Sequence, residues 1–437
     1  MNAKFEAAMR ALVDPAGPGA AVGVWHGDET PYLAGFGLAD IEWGNAITAD
    51  TVFRLGSITK QFTAAAIMLL VEDGKLQLDD VVQSVLPDYP THGHRVTFRQ
   101  LLNHTSGIPN FNTLPTFPER TDLTLPEVLG LFKDLPFNFA PGDRLCYSNS
   151  GYVLLGAVIE AASGMAYRTF LVERLFKPLG MRQTRYLFDE PIVTRRARGY
   201  SIGPKGLQNT RTMSMTLPHA AGGLGSSVGD LLTWSRALRS GRAVSLQSYA
   251  AMIEPARLND DSLREYGFGL VDLRFRGRTA ITHGGGINGF ATMMSHFHED
   301  NLIVVVLANL DSFLVERALL TLARTALDLP ERIPRPRLAM AAAGLARYAG
   351  EYLFIDGFGN PWPWMLSVHE GALTAPWPAP ASRYTAVSPT EFELVDDPEL
   401  SLHFDGLGAL GYERLSVQGP LKWRWHTTTG TRATTPT

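Results

Sequence analysis

Two groups of strand-like runs lie far apart in this chain, and that separation limits the folds it can form. Ala20–His26 and Pro31–Gly37 are short apolar runs joined by Gly27-Asp28-Glu29-Thr30, the pattern of a β-hairpin. The same texture returns only at Ala280–Thr282, Phe290–His298 and Leu302–Asn309, the last two linked by Glu299-Asp300-Asn301. The roughly two hundred residues between are helical and loop-like in pattern, with Ile58–Glu72 closed by Gly74 and Ser150–Ser163 closed by Gly164. A sheet drawn from residues 19–57 and 265–330, with a helical insertion over 58–264, accounts for this order. A helix from about Phe313 to Leu327, stopped by Pro330, completes a first domain over 1–330.

Beyond it the texture changes. Residues 331–344 carry Pro334 and Pro336 among arginines and read as a linker. Residues 345–437 hold five of the eight tryptophans (Trp362, Trp364, Trp377, Trp423, Trp425) in short alternating runs broken by glycine and proline. That pattern suits a small antiparallel barrel or sandwich, and a lipocalin-like β-barrel is the expectation for 345–437. Within it, Phe358-Gly-Asn-Pro-Trp-Pro-Trp364 is an aromatic loop that reads as domain core or as a lid over a pocket. The fold class is mixed α/β (α+β): an antiparallel sheet with a helical subdomain, then a barrel.

Charge and cysteine usage exclude several functions. Net charge is −4, from 39 basic and 43 acidic residues with no basic run, so no nucleic-acid partner is expected. The longest apolar runs, Ala64–Val71 and Leu302–Ala308, fall well short of the roughly 18 residues a spanning helix needs, so no membrane partner is expected. A single cysteine, Cys146, rules out an intramolecular disulfide framework and a zinc site of paired thiolates. His92 with His94, and His296 with His298, read as solvated loop or strand residues, so neither metal nor cofactor is expected. Met1-Asn-Ala-Lys-Phe-Glu places charge where a secretory signal is apolar, which predicts a cytoplasmic protein.

Three short motifs could carry chemistry. Ser57-Ile58-Thr59-Lys60 sits where a strand-like run meets a helix, so Ser57 and Lys60 share a face; burial could make the lysine a neutral base for the weakly nucleophilic hydroxyl. Tyr147-Ser148-Asn149 opens the second long helix, where a phenol could pass a proton to a leaving group while the Asn149 amide holds Lys60 and the substrate. His283-Gly284-Gly285-Gly286, followed by Asn288-Gly289, is dense enough in glycine for a backbone to approach another molecule and leave N–H groups free for an oxyanion. Each motif also has a plain structural reading, as a helix cap, ring packing or a hairpin turn.

Taken in this order, Ser57/Lys60, Tyr147/Asn149 and His283/Gly285 resemble the serine β-lactamase and penicillin-binding-protein superfamily, and within it the class C β-lactamase-like hydrolases. The resemblance spans roughly Gly19–Leu329 and is supported by Asn103-His104-Thr105-Ser106-Gly107, Phe139-Ala140-Pro141-Gly142, Gly222-Gly223-Leu224-Gly225-Ser226 and Tyr266-Gly267-Phe268-Gly269-Leu270. It implies Ser57 as an acylated nucleophile, Lys60 and Tyr147 as proton carriers, and the backbone N–H groups of Ser57 and Gly286 as oxyanion donors. Asn149 and His283 would position substrate and stabilise Tyr147, with Gly284, Gly285 and Asn288 lining the substrate. A homodimer is implied by the family alone.

Penicillin-processing members usually place lysine in the third motif, to meet a substrate carboxylate; here that position is His283, a weaker and titratable charge. With the C-terminal β domain, this looks more like D-aminopeptidases, which release D-residues from the N-terminus of peptides and amides. The substrates expected are therefore small peptides or amides, with an esterase as the alternative and β-lactamase or DD-carboxypeptidase action less favoured. D-aminopeptidases carry two barrels, whereas Leu345–Thr437 has room for one. A competing nucleophile is Ser227 in Gly225-Ser226-Ser227-Val228-Gly229, which matches a Gly-x-Ser-x-Gly elbow. His219–Leu224 is a poor strand to precede an elbow, and Ser227 with Asp230 reads better as a helix cap.

Overall fold

The computed structural model describes residues 1–331, 333–355, 361–376, 381–408, 411–418 and 429–432. The chain forms two compact units, residues 1–272 with 280–329, and residues 273–279 with 330–437.

In chain order, the first unit begins with α1 (Asn2–Arg10), β1 (Ala20–His26), β2 (Tyr32–Phe36), β3 (Phe53–Arg54) and α2 (Thr59–Glu72). Next come α3 (Asn149–Ser163), β4 (Arg185–Tyr186), β5 (Leu224–Ser226) and α4 (Val228–Arg239). Strands β6 (Val271–Phe275) and β7 (Arg278–Ile287), whose residues 273–279 count with the second unit, then β8 (Phe290–Phe297), β9 (Leu302–Ala308) and helix α5 (Val315–Ala326) follow. The main sheet has the order β6-β7-β8-β9-β1-β2. Its two sequence-distant halves meet where β1 runs antiparallel to β9, Ala20 opposite Ala308 and His26 opposite Leu302. Strand β9 is apolar at every position and buried along its whole length, as expected of a strand covered on both faces. Helix α5 buries Ala318, Leu319, Leu322, Ala323 and Ala326, a stripe at helical spacing that packs on β9 and β8.

The insertion is not purely helical. It contains a small second sheet, β3-β5-β4, whose pairs Phe53–Ser226 and Arg54–Gly225 bring the start of the insertion beside its later half. Helix α2 is buried from Thr59 through Leu70, so it runs through the core and has no solvent face there. Phe62 stacks on Trp234 of α4 at 4.1 Å between centroids, and the indole N–H of Trp234 donates to Gln61.

In the second unit, the described strands close into an antiparallel barrel in which each strand pairs with its sequence neighbour and the last returns to the first, Tyr352 facing Arg432. Tyr352, Phe354, Trp364, Tyr384, Phe392 and Phe404 form its core. Of the aromatic loop singled out in the sequence, residues 358–360 lie outside the described residues, as do Trp377, Trp423 and Trp425.

Candidate active site

Ser57 sits in a single 3₁₀ turn, Gly56–Ile58, between β3 and α2. The chain turns so sharply here that Gly56 takes φ +55°, and a Cβ on it would lie 2.9 Å from the carbonyl oxygen of Gly286. Gly285 is tighter still, since a Cβ there would lie 2.0 Å from the Leu55 carbonyl oxygen. Thr292 of β8 stitches the contact by donating its hydroxyl to that carbonyl at 2.8 Å. The glycine run is therefore not a flexible turn. It is the end of β7, with Gly284, Gly285 and Gly286 paired to Met293, Thr292 and Ala291, and it lies directly against the turn that carries Ser57. Gly286 differs from Gly285, because a Cβ on it would meet nothing within 4 Å, so its outer side is open to a substrate.

Two side chains meet the serine, and a third, Asn149, holds one of them. Lys60 Nζ lies 3.1 Å and the Tyr147 hydroxyl 2.7 Å from Ser57 Oγ. Lys60 Nζ also donates to Asn149 Oδ1 at 2.7 Å and to the Ala221 carbonyl at 2.8 Å. Asn149 is free for this because Ser148, not Asn149, caps α3, its hydroxyl accepting from the Gly151 N–H. The Asn149 amide is held by its Nδ2, which donates to Asn112 Oδ1 at 3.0 Å.

Lys60 is fully buried, and burial alone holds its ammonium form well below lysine's usual range. A buried ammonium with no carboxylate partner costs several kcal/mol, so burial favours the neutral amine. Neutral Lys60 has two N–H bonds and one lone pair. Asn149 Oδ1 and the Ala221 carbonyl can only accept, so they take both hydrogens and the lone pair faces the Ser57 hydroxyl. Tyr147 is shifted the opposite way, burial raising its phenol far above its ordinary value despite the bond to Ser57. It stays protonated and donates. The site thus sets a proton acceptor and a proton donor on one hydroxyl. Lys60 Nζ also lies 4.6 Å from the centroid of the Tyr147 ring and 5.4 Å from that of Tyr152, which would favour the ammonium once a proton arrives.

His283 does not behave as the titratable surface charge its place in the motif suggests. It is buried, and desolvation pushes its pKa far down, to about 3. Its Nδ1 meets the Gly284 carbonyl, an acceptor only, so the proton sits on Nδ1; Nε2 is then an acceptor for the Tyr266 hydroxyl at 2.9 Å. Tyr266 and His104 belong to this cluster: the His104 ring lies 4.2 Å from Tyr147 and 4.6 Å from Tyr266 between centroids, and its Nδ1 accepts the Ser148 N–H at 3.1 Å. Both residues stand in quoted sequence context, yet nothing in that context marks them as neighbours of Tyr147. Asn112 and the Ala221 carbonyl have no sequence signal at all.

The remaining candidates fall outside this constellation. Asn288 gives its amide hydrogens to Glu119 Oε1 at 2.8 Å and to the Arg211 carbonyl at 3.1 Å. Ser227 follows a three-residue strand, β5, that the sequence does not suggest, but its hydroxyl is the N-cap of α4, accepting from the Asp230 N–H. His296 meets Arg239 and His298 lies near Tyr249. Among the described residues no group of three or more His, Cys, Asp or Glu side chains is placed to hold a metal, and no helix is long and apolar enough to cross a membrane.

Buried neutral imidazoles make stability depend on acidity. His283, at about 3, and His219, at about 4, are unprotonated in the fold, whereas the unfolded chain takes up protons near pH 6.5. Between those values the unfolded state binds more protons, so stability falls as pH falls, by up to about 1.4 kcal/mol per pH unit for each histidine. Urea unfolding at about pH 7 and about pH 4.5 measures this, and equal stabilities would contradict the neutral assignment.

A family model described as Beta-lactamase matches residues 5–328. Penicillin-binding protein 4* of Bacillus subtilis (strain 168) is 31% identical over 363 residues, 76% of this chain and 78% of that protein. The D-aminopeptidase of Gluconobacter oxydans (strain 621H) is 28% identical over 325 residues, covering 70% of this chain but 59% of its own length. Among solved structures, D-amino acid amidase from Ochrobactrum anthropi SV3 complexed with D-phenylalanine superposes with a TM-score of 0.65 at 27% identity, over 74% of this chain and 99% of that one.

Proposed function

The chain belongs to the beta-lactamase family and is a serine hydrolase of that fold; from this membership we propose that Ser57 is its acylated nucleophile and that it hydrolyses small amides or peptides carrying a free amino group, with preference for the D configuration. The reading of the substrate rests on one observation, the neutral state of His283. Both of its ring nitrogens are engaged internally, so His283 itself offers a substrate carboxylate no charged partner. A charge of the other sign lies nearby. Glu119 is half-buried and fixed by Asn288, two residues beyond Gly286, where its carboxylate can meet a substrate ammonium. The D-aminopeptidase and D-amino acid amidase relatives agree with this choice of amine over carboxylate.

In the proposed reaction Ser57 Oγ attacks the substrate carbonyl as its proton passes to the Lys60 lone pair, and the ammonium so formed is held by Asn149 and Ala221. The backbone N–H groups of Ser57 and Gly286 receive the oxyanion. Tyr147 gives its proton to the leaving nitrogen and is restored by the one Lys60 took. Water then cleaves the acyl-enzyme by the reverse sequence of transfers. Asn149 keeps the Lys60 lone pair aimed at Ser57, and His283, through Tyr266, stays neutral beside it. Gly284 and Gly285 supply the rigid strand along which the substrate backbone lies, and Asn288 sets the orientation of Glu119.

Initial rates on D-alanine p-nitroanilide, its L-isomer and p-nitrophenyl butyrate test the substrate class. The D-anilide is expected to be the best amide substrate; ester turnover without amide turnover would replace this reading by a carboxylesterase. Glu119→Gln is expected to raise KM for the D-anilide about tenfold, the scale of one charge-assisted hydrogen bond, and to leave the butyrate ester unchanged. An equal loss on both substrates would show that Glu119 does not read the amine.

A further inference from the structure

A cavity of about 460 Å³ opens in the first unit, lined by residues that do not include Ser57, Lys60 or Tyr147. Its charges are unbalanced. Four arginines, Arg54, Arg196, Arg198 and Arg211, face two aspartates, Asp40 and Asp189. Asp189 is shared, since one of its oxygens, Oδ1, takes both Arg54, at 2.6 Å, and Arg196. Asp40 Oδ1 is engaged by the Trp43 N–H. Arg198 has only Glu42, at 3.7 Å and outside the lining, and the Arg211 guanidinium makes no hydrogen bond or ion pair among the described residues. Among the lining residues Arg54 has a side chain only 9% exposed, and the Phe290 ring centroid lies 6.0 Å from its guanidinium carbon. A low-dielectric cleft with surplus positive charge concentrates anions, and planar guanidinium groups match the oxygens of phosphates and carboxylates.

We propose that this cavity is a binding site for a small molecule bearing two or more negative charges as phosphate or carboxylate, held by Arg211 and Arg198 at the rim above Arg54 and Arg196. Its position suggests what occupancy does. Arg54 ends β3, three residues before Ser57, and Phe290 opens β8 directly opposite Ile287, next to Gly286. An anion here draws on the two strands whose ends carry the proposed oxyanion donors. The site is distinct from the reacting groups, since Ser57, Lys60 and Tyr147 do not line it, but it adjoins the proposed amine contact, because the Arg211 carbonyl accepts from Asn288.

The test is thermal unfolding and isothermal titration of the full chain with inorganic phosphate and with citrate, against sodium chloride at matched ionic strength. A rise in Tm and a saturable heat with phosphate, citrate or both, absent with chloride, are expected; whichever anion binds tighter separates a phosphate from a polycarboxylate ligand. Arg198→Ala and Arg211→Glu, both at exposed positions, are expected to weaken that binding at least about tenfold while Tm without ligand is kept. Equal effects of all three salts would overturn the proposal. Undiminished binding in both variants would place the anion elsewhere and overturn it equally.

Discussion

Ser57→Ala is expected to lower kcat/KM for the D-anilide by a factor on the order of 10⁴ or more, with the fold intact. The Tyr147 hydroxyl at 2.7 Å and Lys60 Nζ at 3.1 Å both address Ser57 Oγ, so its removal leaves a donor and an acceptor with no atom to act on. Losses of this size follow when a nucleophile is deleted from a set of residues that act as a unit. Ser227→Ala is the control. Loss of the α4 cap should cost about 1 kcal/mol of stability and leave kcat within about twofold. Progress curves for both variants, with mass spectrometry for an acylated serine, decide between them. Turnover that survives in Ser57→Ala and disappears in Ser227→Ala would move the nucleophile to the start of α4.

Lys60 carries the second prediction, in which two replacements separate chemistry from charge. Lys60→Met keeps the length of the side chain but removes the proton acceptor, and should cut kcat by about 10²–10⁴-fold, the usual range for a general base. Lys60→Arg keeps a positive charge that cannot be shed. In a site with no exposure and no acidic partner it should destabilise the fold by several kcal/mol, the penalty for an uncompensated buried ion. The pH dependence has a definite sign. Folding lowers the Lys60 pKa, so from that depressed value up to about 10.4 the unfolded chain binds the extra proton and stability rises with pH. Lys60→Met should flatten this rise. A rise through the neutral range that Lys60→Met leaves unchanged would mean that the folded protein holds a charged Lys60.

How far the sequence reveals the fold depends on how local the determining signal is. Ser57 with Lys60, and Tyr147 with Asn149, stand where apolar periodicity begins, so their placement at helix starts is visible from spacing. The main sheet is legible because β1 and β9 are apolar runs with sharp polar ends. The small β3-β5-β4 sheet is not, since strands of two or three residues carry no period. The extent of β7 is missed for a related reason. Glycines in a run signal a turn, and only the approach of Leu55 explains why Gly285 is needed inside a strand. The charge state of His283 is also hidden, because it depends on burial and on Tyr266, which comes from another segment. Asn288 illustrates the opposite limit: its residue type and place in the motif suggest substrate contact, whereas both of its amide hydrogens already have partners, in Glu119 and the Arg211 carbonyl.

The pairing of β1 with β9 also governs how the molecule can be made. Ala20 finds its partner in Ala308, so the N-terminal hairpin leaves the ribosome long before the strand that completes its sheet has been synthesised. At about 5–20 residues per second the delay is on the order of fifteen seconds to a minute. Throughout that interval the apolar edge of β1 can pair with other chains. Contacts this remote in sequence slow folding, because the closure entropy of the intervening chain is lost before any pairing is gained. Yield during expression should therefore depend on temperature and chaperone supply more strongly than the stability of the finished protein would suggest.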